Sequence, residues 1–464
     1  MLAVSVGLSS CLGACGSDSG GSDATPDVWD AAPDGPEDAS LAVTLDERER
    51  QPGGDTTTDE LGEGAFVQEA ANLSILRRGD FQAGQQFFRL EWVEAPGRSE
   101  IDGLGPTFNA ISCIACHARN GRASPPADEA GPGVLLRLGS SMGASDPVYG
   151  QQLQPFGIAG VPGEGTVQIA SEVADAVSLP EAVVELRRLR FSLGPLSFGP
   201  LAAGTRTSPR LAQQLVGLGL LEAIEVDDVV AFEDPNDADG DGVSGRAAWL
   251  QDGSLGRFGW KAAQATVASQ SAAALFGDLG LTTSFHPLDN CPPAQLACRE
   301  APSGGEPEVN DVRLAVIAAY VRLLGVPARR NAENVLSGKA LFARIGCGDC
   351  HRANFLTGPA QDPELADQNI WPYTDLLLHD MGPGLADGVP EGAANGSEWR
   401  TPPLWGLGLI EQVNGERYLL HDGRARTLAE AILWHGGEAQ ASRELYVGLT
   451  PEERAAIHEF VDSL

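Results

Sequence analysis

The sequence has few aromatic residues, few basic residues and no long apolar run. Aromatic residues make up 6% of its 464 positions, while Gly and Pro number 57 and 31. We therefore expect many loops. We also expect a bound group to supply the apolar volume that so few aromatic side chains cannot provide. Lys and Arg number 31 against 64 Asp and Glu, which gives a formal net charge of −33.

This acidity excludes a nucleic-acid-binding protein, because such a protein needs a basic face. It is typical of a soluble, exported protein, and it serves either solvation or the attraction of a cationic partner. Since no apolar run approaches about 20 residues, the sequence predicts no transmembrane helix.

Cysteine and histidine are also scarce, and their spacing carries the strongest signal. The pattern Cys-x-x-Cys-His occurs at 113–117 and again at 347–351. Two thiols three positions apart can form thioethers with one porphyrin, and the imidazole of the next residue then binds its iron. Such pairs also bind zinc, but zinc modules bring their second pair within a few tens of residues. The sequence therefore predicts two covalently bound c-type haems. Their attachment residues are Cys113, Cys116, His117, Cys347, Cys350 and His351.

Cys291 and Cys298 flank a short loop, which predicts a local disulfide; two free buried thiols are the alternative. A disulfide requires an oxidising compartment, where c-type haem attachment is also expected.

The first residues predict export. Residues 1–15 form a short apolar stretch in which Cys11 and Cys15 each end a segment that resembles a bacterial lipoprotein cleavage site. An ordinary signal peptide is the alternative, and either route predicts a periplasmic or outer-membrane location. Residues 16–63 are rich in Gly, Ser, Asp, Thr and Pro and predict a disordered linker.

The apolar periodicity predicts a mainly α fold of two cytochrome c-like haem domains with long loops. The N-terminal domain would span 64–330, with an insertion, and the C-terminal domain 331–464. The segment 180–234 predicts amphipathic helical pieces. Individual helices are predicted at 75–92, 211–224, 308–324, 335–345 and 427–435, and after the capping box Thr450–Glu453.

Asp237, Asp239 and Asp241 alternate before a turn Gly, as at the start of a calcium-binding loop. The twelfth loop position, which should supply a bidentate acid, is Ala248. The sequence therefore leaves two readings open, a calcium site and a solvated acidic turn.

Several segments resemble the di-haem oxidoreductase family, which is related to the bacterial di-haem cytochrome c peroxidases and to MauG-type enzymes. The resemblance extends from about residue 75 to 464 and rests on residues 108–122, 217–224, 255–261, 370–382, 398–405, 421–426 and 434–436. Within these segments, Arg119, Arg122 and Arg424 are predicted to bind the cofactors. For Arg119 and Arg122, which follow the first motif, the expected contacts are haem propionates, and ion pairs within the protein are the alternative.

The resemblance implies a sixth ligand for the second haem. In the peroxidase relatives the axial residue follows a His-Asp-Gly motif by the interval that separates His421 from His435, so His435 is assigned this role. A capping or surface role is the alternative. His379 and Met381 are further candidates for the ligand, and His379 is otherwise expected to form hydrogen bonds near the iron.

The first haem is expected to keep an open or water-bound iron, because no His follows His117 until residue 286. The relatives place a Gln ten residues before a Glu over their peroxidatic haem, and Gln154 and Glu164 keep this spacing. Gln154 and Glu164 are therefore assigned to acid–base catalysis, and a solvent-exposed loop Glu is the alternative.

Together these features predict a peroxidase-like oxidoreductase. A small redox protein would donate electrons at the C-terminal haem, and hydrogen peroxide would be reduced at the N-terminal haem. A pure electron-transfer cytochrome and a MauG-like oxidase of a protein or thiol substrate are the alternatives.

Overall fold

A computed structural model describes residues 46–97, 101–125, 131–330 and 335–464. The predicted signal segment, with Cys11 and Cys15, lies outside the described residues, as do residues 16–45 of the predicted linker. Residues 46–63 of that linker are packed against the rest of the chain. Glu49, for example, is 3% exposed and accepts a hydrogen bond of 2.6 Å from Arg329. The described residues from 46 onward belong to one compact unit, and the division of this unit near residue 330 stays a prediction.

The fold is mixed, with 30% helix and 17% strand, so the predicted mainly α class is wrong. The main difference lies in a long antiparallel hairpin of Val167–Ser178 and Val183–Leu193. The hairpin occupies part of the segment 180–234, where amphipathic helical pieces are predicted, and its buried Leu186 and Leu189 are three positions apart, as on one face of a helix. Their backbone instead pairs with the preceding strand, a non-local contact that periodicity in one segment does not show.

The helices are mostly short, and loops connect them. They span Arg78–Arg89, Cys113–Cys116, Leu218–Glu222, Val226–Val230, Val267–Leu279, Leu296–Arg299, Asp311–Arg322, Leu336–Arg344, Gly382–Leu385, Ile410–Asn414, Leu428–Trp434, Gln440–Gly448 and Pro451–Ser463. In the described part of the chain, no helix combines the length and apolar character that crossing a bilayer requires.

The strands form antiparallel pairs, and among the described residues no pair extends into a larger sheet. Besides the long hairpin, the pairs join Thr107–Phe108 with Phe156–Gly157, Val134–Gly139 with Arg206–Leu211, Ala248–Trp249 with Leu255–Gly256, Phe355–Leu356 with Asn369–Ile370, and Leu378–Asp380 with Glu398–Arg400.

Local start and stop signals placed several helices correctly. The helices predicted at 75–92, 308–324 and 335–345 are confirmed with slightly narrower bounds. The capping box of the last helix is present, since Thr450 accepts from the backbone of Glu453 and Glu453 accepts in return.

The helix predicted at 211–224 is only partly present. Leu211 ends a strand, and the helix begins after Gly217, whose φ of 71° lies in the left-handed region that favours glycine. The predicted disulfide is confirmed, because Cys291 and Cys298 are bonded across their loop.

One apolar core extends through both halves of the chain. It includes Phe66, Tyr320, Trp405 and Phe460, each at most 1% exposed. The two Cys-x-x-Cys-His segments therefore lie on a common packed framework.

Candidate functional site

The two Cys-x-x-Cys-His segments line one cavity of about 410 Å³. The short helix Cys113–Cys116 and the 3-10 turn Cys347–Asp349 present the cysteines, and a histidine follows each of them. We call the surroundings of Cys113, Cys116 and His117 the first site, and those of Cys347, Cys350 and His351 the second site. All six predicted attachment residues therefore face the same space.

His117 and His351 are held in the same way. The Nδ1 atom of His117 lies 2.8 Å from the carbonyl oxygen of Gln213, and that of His351 lies 2.9 Å from the carbonyl oxygen of Tyr373. A carbonyl oxygen can only accept a hydrogen bond, so the proton of each ring lies on Nδ1 and the Nε2 lone pair is free for a metal. Burial lowers the pKa of both rings, for His351 to about 4, which keeps them neutral and able to bind iron.

His435 has the same arrangement. It follows the helix Leu428–Trp434, which begins at the predicted cap, where Thr427 accepts from the backbone of Glu430. Its Nδ1 lies 2.8 Å from the carbonyl oxygen of Ala431, and burial lowers its pKa. His435 lines the cavity and is close enough to His351 for its charge to lower the pKa of that ring further. The second site thus has two half-buried imidazoles with free Nε2 atoms.

His379, a further candidate for the ligand, has both ring nitrogens engaged. Nε2 lies 2.8 Å from Asp375 and Nδ1 lies 2.7 Å from Glu438. Burial alone would lower the pKa of His379, but the charge of Asp375 and the hydrogen bonds outweigh it and raise this pKa well above the usual value. His379 is therefore an imidazolium, which cannot bind iron. Met381 lines the cavity near it.

The pairing of His379 predicts a pH-dependent contribution to stability. Because the pKa of His379 is higher in the folded protein than in the unfolded chain, its charged pairs stabilise the fold. This stabilisation is complete below the unfolded pKa of 6.5 and is lost as the pH rises through the folded pKa. Replacement of His379 by Gln leaves two carboxylates in a buried place and should cost about 3 kcal/mol near pH 6, and less near pH 9. Urea unfolding at several pH values measures this difference.

The matched control is His286→Gln. His286 is half-buried and stacks on Phe276 with ring centroids 4.6 Å apart, and burial lowers its pKa. Its contribution should be flat or should grow as the pH rises. A loss for His379→Gln that stays constant between the two ends of the range would contradict the charged pair.

Buried guanidinium groups line the cavity. Arg122 and Arg400 are 5% and 4% exposed, and burial lowers the pKa of each to about 10. Arg122 donates to the carbonyl oxygen of Leu420, and its Nε is buried with no partner among the described residues. Buried cations without a carboxylate partner fit an anionic group in the cavity.

The other predicted cofactor-binding arginines point elsewhere. Arg119 pairs with Glu63 at 2.9 Å, and Arg424 pairs with Asp422 at 2.9 Å. Neither lines the cavity, whereas Arg400, which the sequence analysis did not single out, does. Only the folded chain brings Arg400 to this wall, so no local signal marks it.

An aromatic cluster of Trp260, Trp399 and His421 also lines the cavity. The rings of Trp399 and His421 stack with centroids 3.9 Å apart at 12°, and Trp260 meets them edge-on at 6.4 and 6.5 Å. Burial lowers the pKa of His421 to about 3, so this ring is neutral. The cluster supplies a rigid, largely apolar wall.

Gln154 and Glu164 lie together but do not line the cavity. The backbone N–H of Gln154 donates to Glu164 at 2.6 Å, and the Gln295 side chain donates to the other carboxylate oxygen. Glu164 is 1% exposed, so it is not the solvent-exposed loop residue of the alternative, and burial raises its pKa to about 7. The assignment of both residues to acid–base catalysis stays a prediction.

Asp278 is the carboxylate that lines the cavity at the first site, and the sequence analysis missed it. It lies at the end of the helix Val267–Leu279, and Gln152 donates to its Oδ1 at 2.9 Å. Burial raises the pKa of Asp278 to about 6, although Gln152 and the charge of Arg137 oppose this shift. A lone acid at the end of a mostly apolar helix was the only available signal.

The three acidic residues of the predicted calcium loop are close together. One carboxylate oxygen from each of Asp237, Asp239 and Asp241 lies within 4.8 Å of the others. Oxygens of these side chains also accept from backbone N–H groups, among them that of Val243 at 2.7 Å. The calcium site stays a prediction.

The donor sets fit haem better than zinc. In the described part of the chain, the only cluster of metal-binding side chains that includes a motif cysteine is Cys350, Asp375 and His379. Both ring nitrogens of His379 already form hydrogen bonds with carboxylates, so this cluster offers no free imidazole to a zinc ion. The cavity suits a porphyrin, because it is large and apolar and has pairs of thiols and imidazoles with free Nε2 atoms. Its guanidinium groups without a carboxylate partner suit the carboxylates of the porphyrin.

Comparison with known families agrees with this chemistry. A family model described as di-haem oxidoreductase, putative peroxidase, matches residues 47–137 and 201–464. A search of curated proteins finds no match. The unmatched residues 138–200 contain Gln154, Glu164 and the long hairpin. Because the matched segments cover well over half of the chain and include both motifs, the resemblance is confirmed, and the chain belongs to the di-haem oxidoreductase family.

Proposed function

We propose that this oxidoreductase reduces hydrogen peroxide at the first site with electrons that enter at the second site. The observation that carries this proposal is the asymmetry between the sites. The second site has His351 and His435, which both line the cavity and have Nδ1 held by a backbone carbonyl and Nε2 free. At the first site, His117 shares the cavity with polar side chains such as Gln270 and Asp278.

Iron with two strong ligands transfers electrons, whereas iron with an open sixth position also binds peroxide. His351 and His435 would hold the first kind of centre, and His117 the second. Cys113, Cys116, Cys347 and Cys350 would form the thioether bonds. Arg122 and Arg400 would bind propionates, since both are buried in the cavity wall without a carboxylate partner.

The net charge of −33 supports a cationic small redox protein as the electron donor. We further propose export to the periplasm or outer membrane, which the disulfide between Cys291 and Cys298 supports. Heme staining of the membrane and soluble fractions, before and after replacement of Cys11 and Cys15 together, tests whether a lipid anchor is present.

The EPR spectrum of the purified protein with both haems bound tests the asymmetry. We expect a low-spin ferric signal from the second site beside a high-spin signal from the first, before or after half-reduction. Hydrogen peroxide added to the half-reduced protein should be consumed with oxidation of the reduced haem. Optical spectra follow this oxidation directly.

Two low-spin signals that persist after half-reduction and after peroxide addition would contradict the proposal. They would mean that a protein side chain occupies the sixth position at the first site as well. The protein would then be a pure electron carrier.

A further inference from the structure

The first site needs a group that moves a proton between the two oxygens of peroxide, and this requirement rests on the proposed function. Cleavage of the O–O bond is fast only if one oxygen loses its proton and the other leaves as water. Such a group must have a free oxygen or nitrogen in the same space as the iron. The spacing shared with the peroxidase relatives predicts Glu164, together with Gln154, in this role.

Glu164 does not meet that requirement in the folded chain. Both of its carboxylate oxygens accept hydrogen bonds, from the backbone of Gln154 and from the side chain of Gln295. It does not line the cavity that contains His117. Glu164 instead fixes the backbone at Gln154, whose own side-chain N–H donates to the carbonyl oxygen of Gly277 at 2.6 Å.

Asp278, which follows Gly277 in the sequence, meets the requirement for a free oxygen in the same space as the iron. The carboxylate lines the cavity together with Cys113, Cys116 and His117. Burial raises the pKa of the Cys113 and Cys116 thiols, and the negative charge of Asp278 raises it further, so this carboxylate lies close to the attachment segment. Among the described residues, Gln152 donates to Oδ1 of Asp278, and Oδ2 remains for a ligand.

The position of Asp278 is tightly held. The backbone N–H of Asn109 donates to the carbonyl oxygen of Asp278 at 2.7 Å. Gln152, which is 5% exposed, donates both to the Asn109 side chain at 2.8 Å and to Asp278. The segment that carries the first motif is thus tied to the end of the helix Val267–Leu279, and a carboxylate held in this way keeps its geometry during turnover.

We propose that Asp278 is the acid–base residue of the first site. Its carboxylate accepts the proton of the peroxide oxygen that faces the iron and donates it to the outer oxygen. The O–O bond breaks, and the outer oxygen leaves as water. Two electrons from the donor and two protons from solvent reduce the remaining oxygen to a second water, while the donor is oxidised.

The electrostatic surroundings suit this role. Burial raises the pKa of Asp278 to about 6, so the residue is mostly ionised near neutral pH and still basic enough to accept a proton. The charged group that faces it from the neighbouring strand is Arg137, which itself lies 3.4 Å from Glu391. Cys113 and Cys116 face it too, but thioether formation would remove their titration.

The test compares Asp278→Asn with the matched control Glu164→Gln, both with their haems bound. Cyanide binding to the ferric first site is measured optically, because hydrogen cyanide must lose a proton to a nearby base. Asp278→Asn should slow cyanide binding and peroxide reduction by about 100-fold or more. Glu164→Gln should change either rate by less than about 10-fold. The EPR signal of the second site should be unchanged in both variants.

The pH profile gives a second readout. The wild-type rate of cyanide binding should rise through the pKa of Asp278, about 6, and this inflection should be absent in Asp278→Asn. Asp278→Glu keeps a carboxylate and should therefore retain most of the wild-type rate. This variant also keeps the test decisive if Asp278→Asn folds poorly. A retained rate and inflection in Asp278→Asn, with both lost in Glu164→Gln, would overturn the proposal in favour of Glu164.

The two proposals fail differently. If the wild-type protein binds cyanide with this inflection but reduces no peroxide, the proposed function is wrong and the basic role of Asp278 stands. If it reduces peroxide and Asp278→Asn does so equally well, the proposed function stands and Asp278 is not the acid–base residue.

Discussion

Replacement of His435 by Gly should abolish the low-spin signal of the second site and slow peroxide reduction by about 100-fold. His435 and His351 are both held at Nδ1 by a backbone carbonyl, so both present Nε2 to the cavity. If both imidazoles hold a haem iron, as proposed, loss of one would open a coordination position, raise the reduction potential and slow onward electron transfer. EPR spectra and a redox titration of the protein with both haems measure these changes.

Added imidazole should restore the low-spin signal of His435→Gly, because it can occupy the space that the side chain leaves. Met381→Leu is the matched control, since Met381 lines the same cavity and is the remaining alternative ligand. It should leave the signal unchanged. Loss of the low-spin signal in Met381→Leu, with retention in His435→Gly, would assign the ligand to Met381.

The features that could be predicted from the sequence are those that a few adjacent residues determine. Cys-x-x-Cys-His puts two thiols and an imidazole within one turn, whatever the rest of the chain does. The helix Pro451–Ser463 begins where a capping box satisfies its first N–H groups, and Cys291 and Cys298 are close because their loop is short. These predictions are confirmed because they depend on local geometry.

The features that could not be predicted depend on contacts between distant segments. The strand Val183–Leu193 is stabilised by its partner strand and by Arg187, which donates to the carbonyl oxygens of Gly423 and Arg424 at 2.7 and 2.9 Å. A helical reading of this segment is therefore reasonable from spacing alone. Asp278 likewise joins the wall of the cavity only in the folded chain, where Gln152 from a distant segment donates to it.

The assignment of His435 lies between these cases. The predicted helix at 427–435 begins where local sequence places it, because the Thr427 side chain accepts a hydrogen bond from the backbone of Glu430. That the helix end faces His351 followed only from the resemblance to di-haem peroxidases. The assignment of Glu164 used the same reasoning in residues 138–200, which the family model does not match. The resemblance is a weaker guide there.

Replacement of Asp387 by Asn should lower the free energy of unfolding by about 3–5 kcal/mol, because it leaves two buried cations without their shared anion. Asp387 lies 3.0 Å from Lys261 and 2.7 Å from Arg210, and all three side chains are at most 6% exposed. Both cations lie over the ring of Trp399, at 4.6 and 4.5 Å from its centroid. Guanidinium unfolding of the protein with both haems measures the loss.

The pH dependence and a second variant separate this charge effect from a packing effect. Burial opposes ionisation, but the charges of Arg210 and Lys261 lower the pKa of Asp387. Its stabilisation is therefore present above the pKa of an unfolded Asp, 3.8, and is lost as the pH falls through the lower folded value. The cost of Asp387→Asn should accordingly be full near neutral pH and shrink in acid.

Lys261→Met supplies the matched control, because it removes one cation and leaves Asp387 paired with Arg210. Burial lowers the pKa of Lys261, which indicates that its charge is costly to keep in place. Combining Lys261→Met with Asp387→Asn should therefore recover at least about 1 kcal/mol relative to Asp387→Asn alone. Strictly additive losses would mean that the charge of Lys261 is not coupled to Asp387. Asp387 would then act through Arg210 and through its hydrogen bonds to Ser208 and Val389.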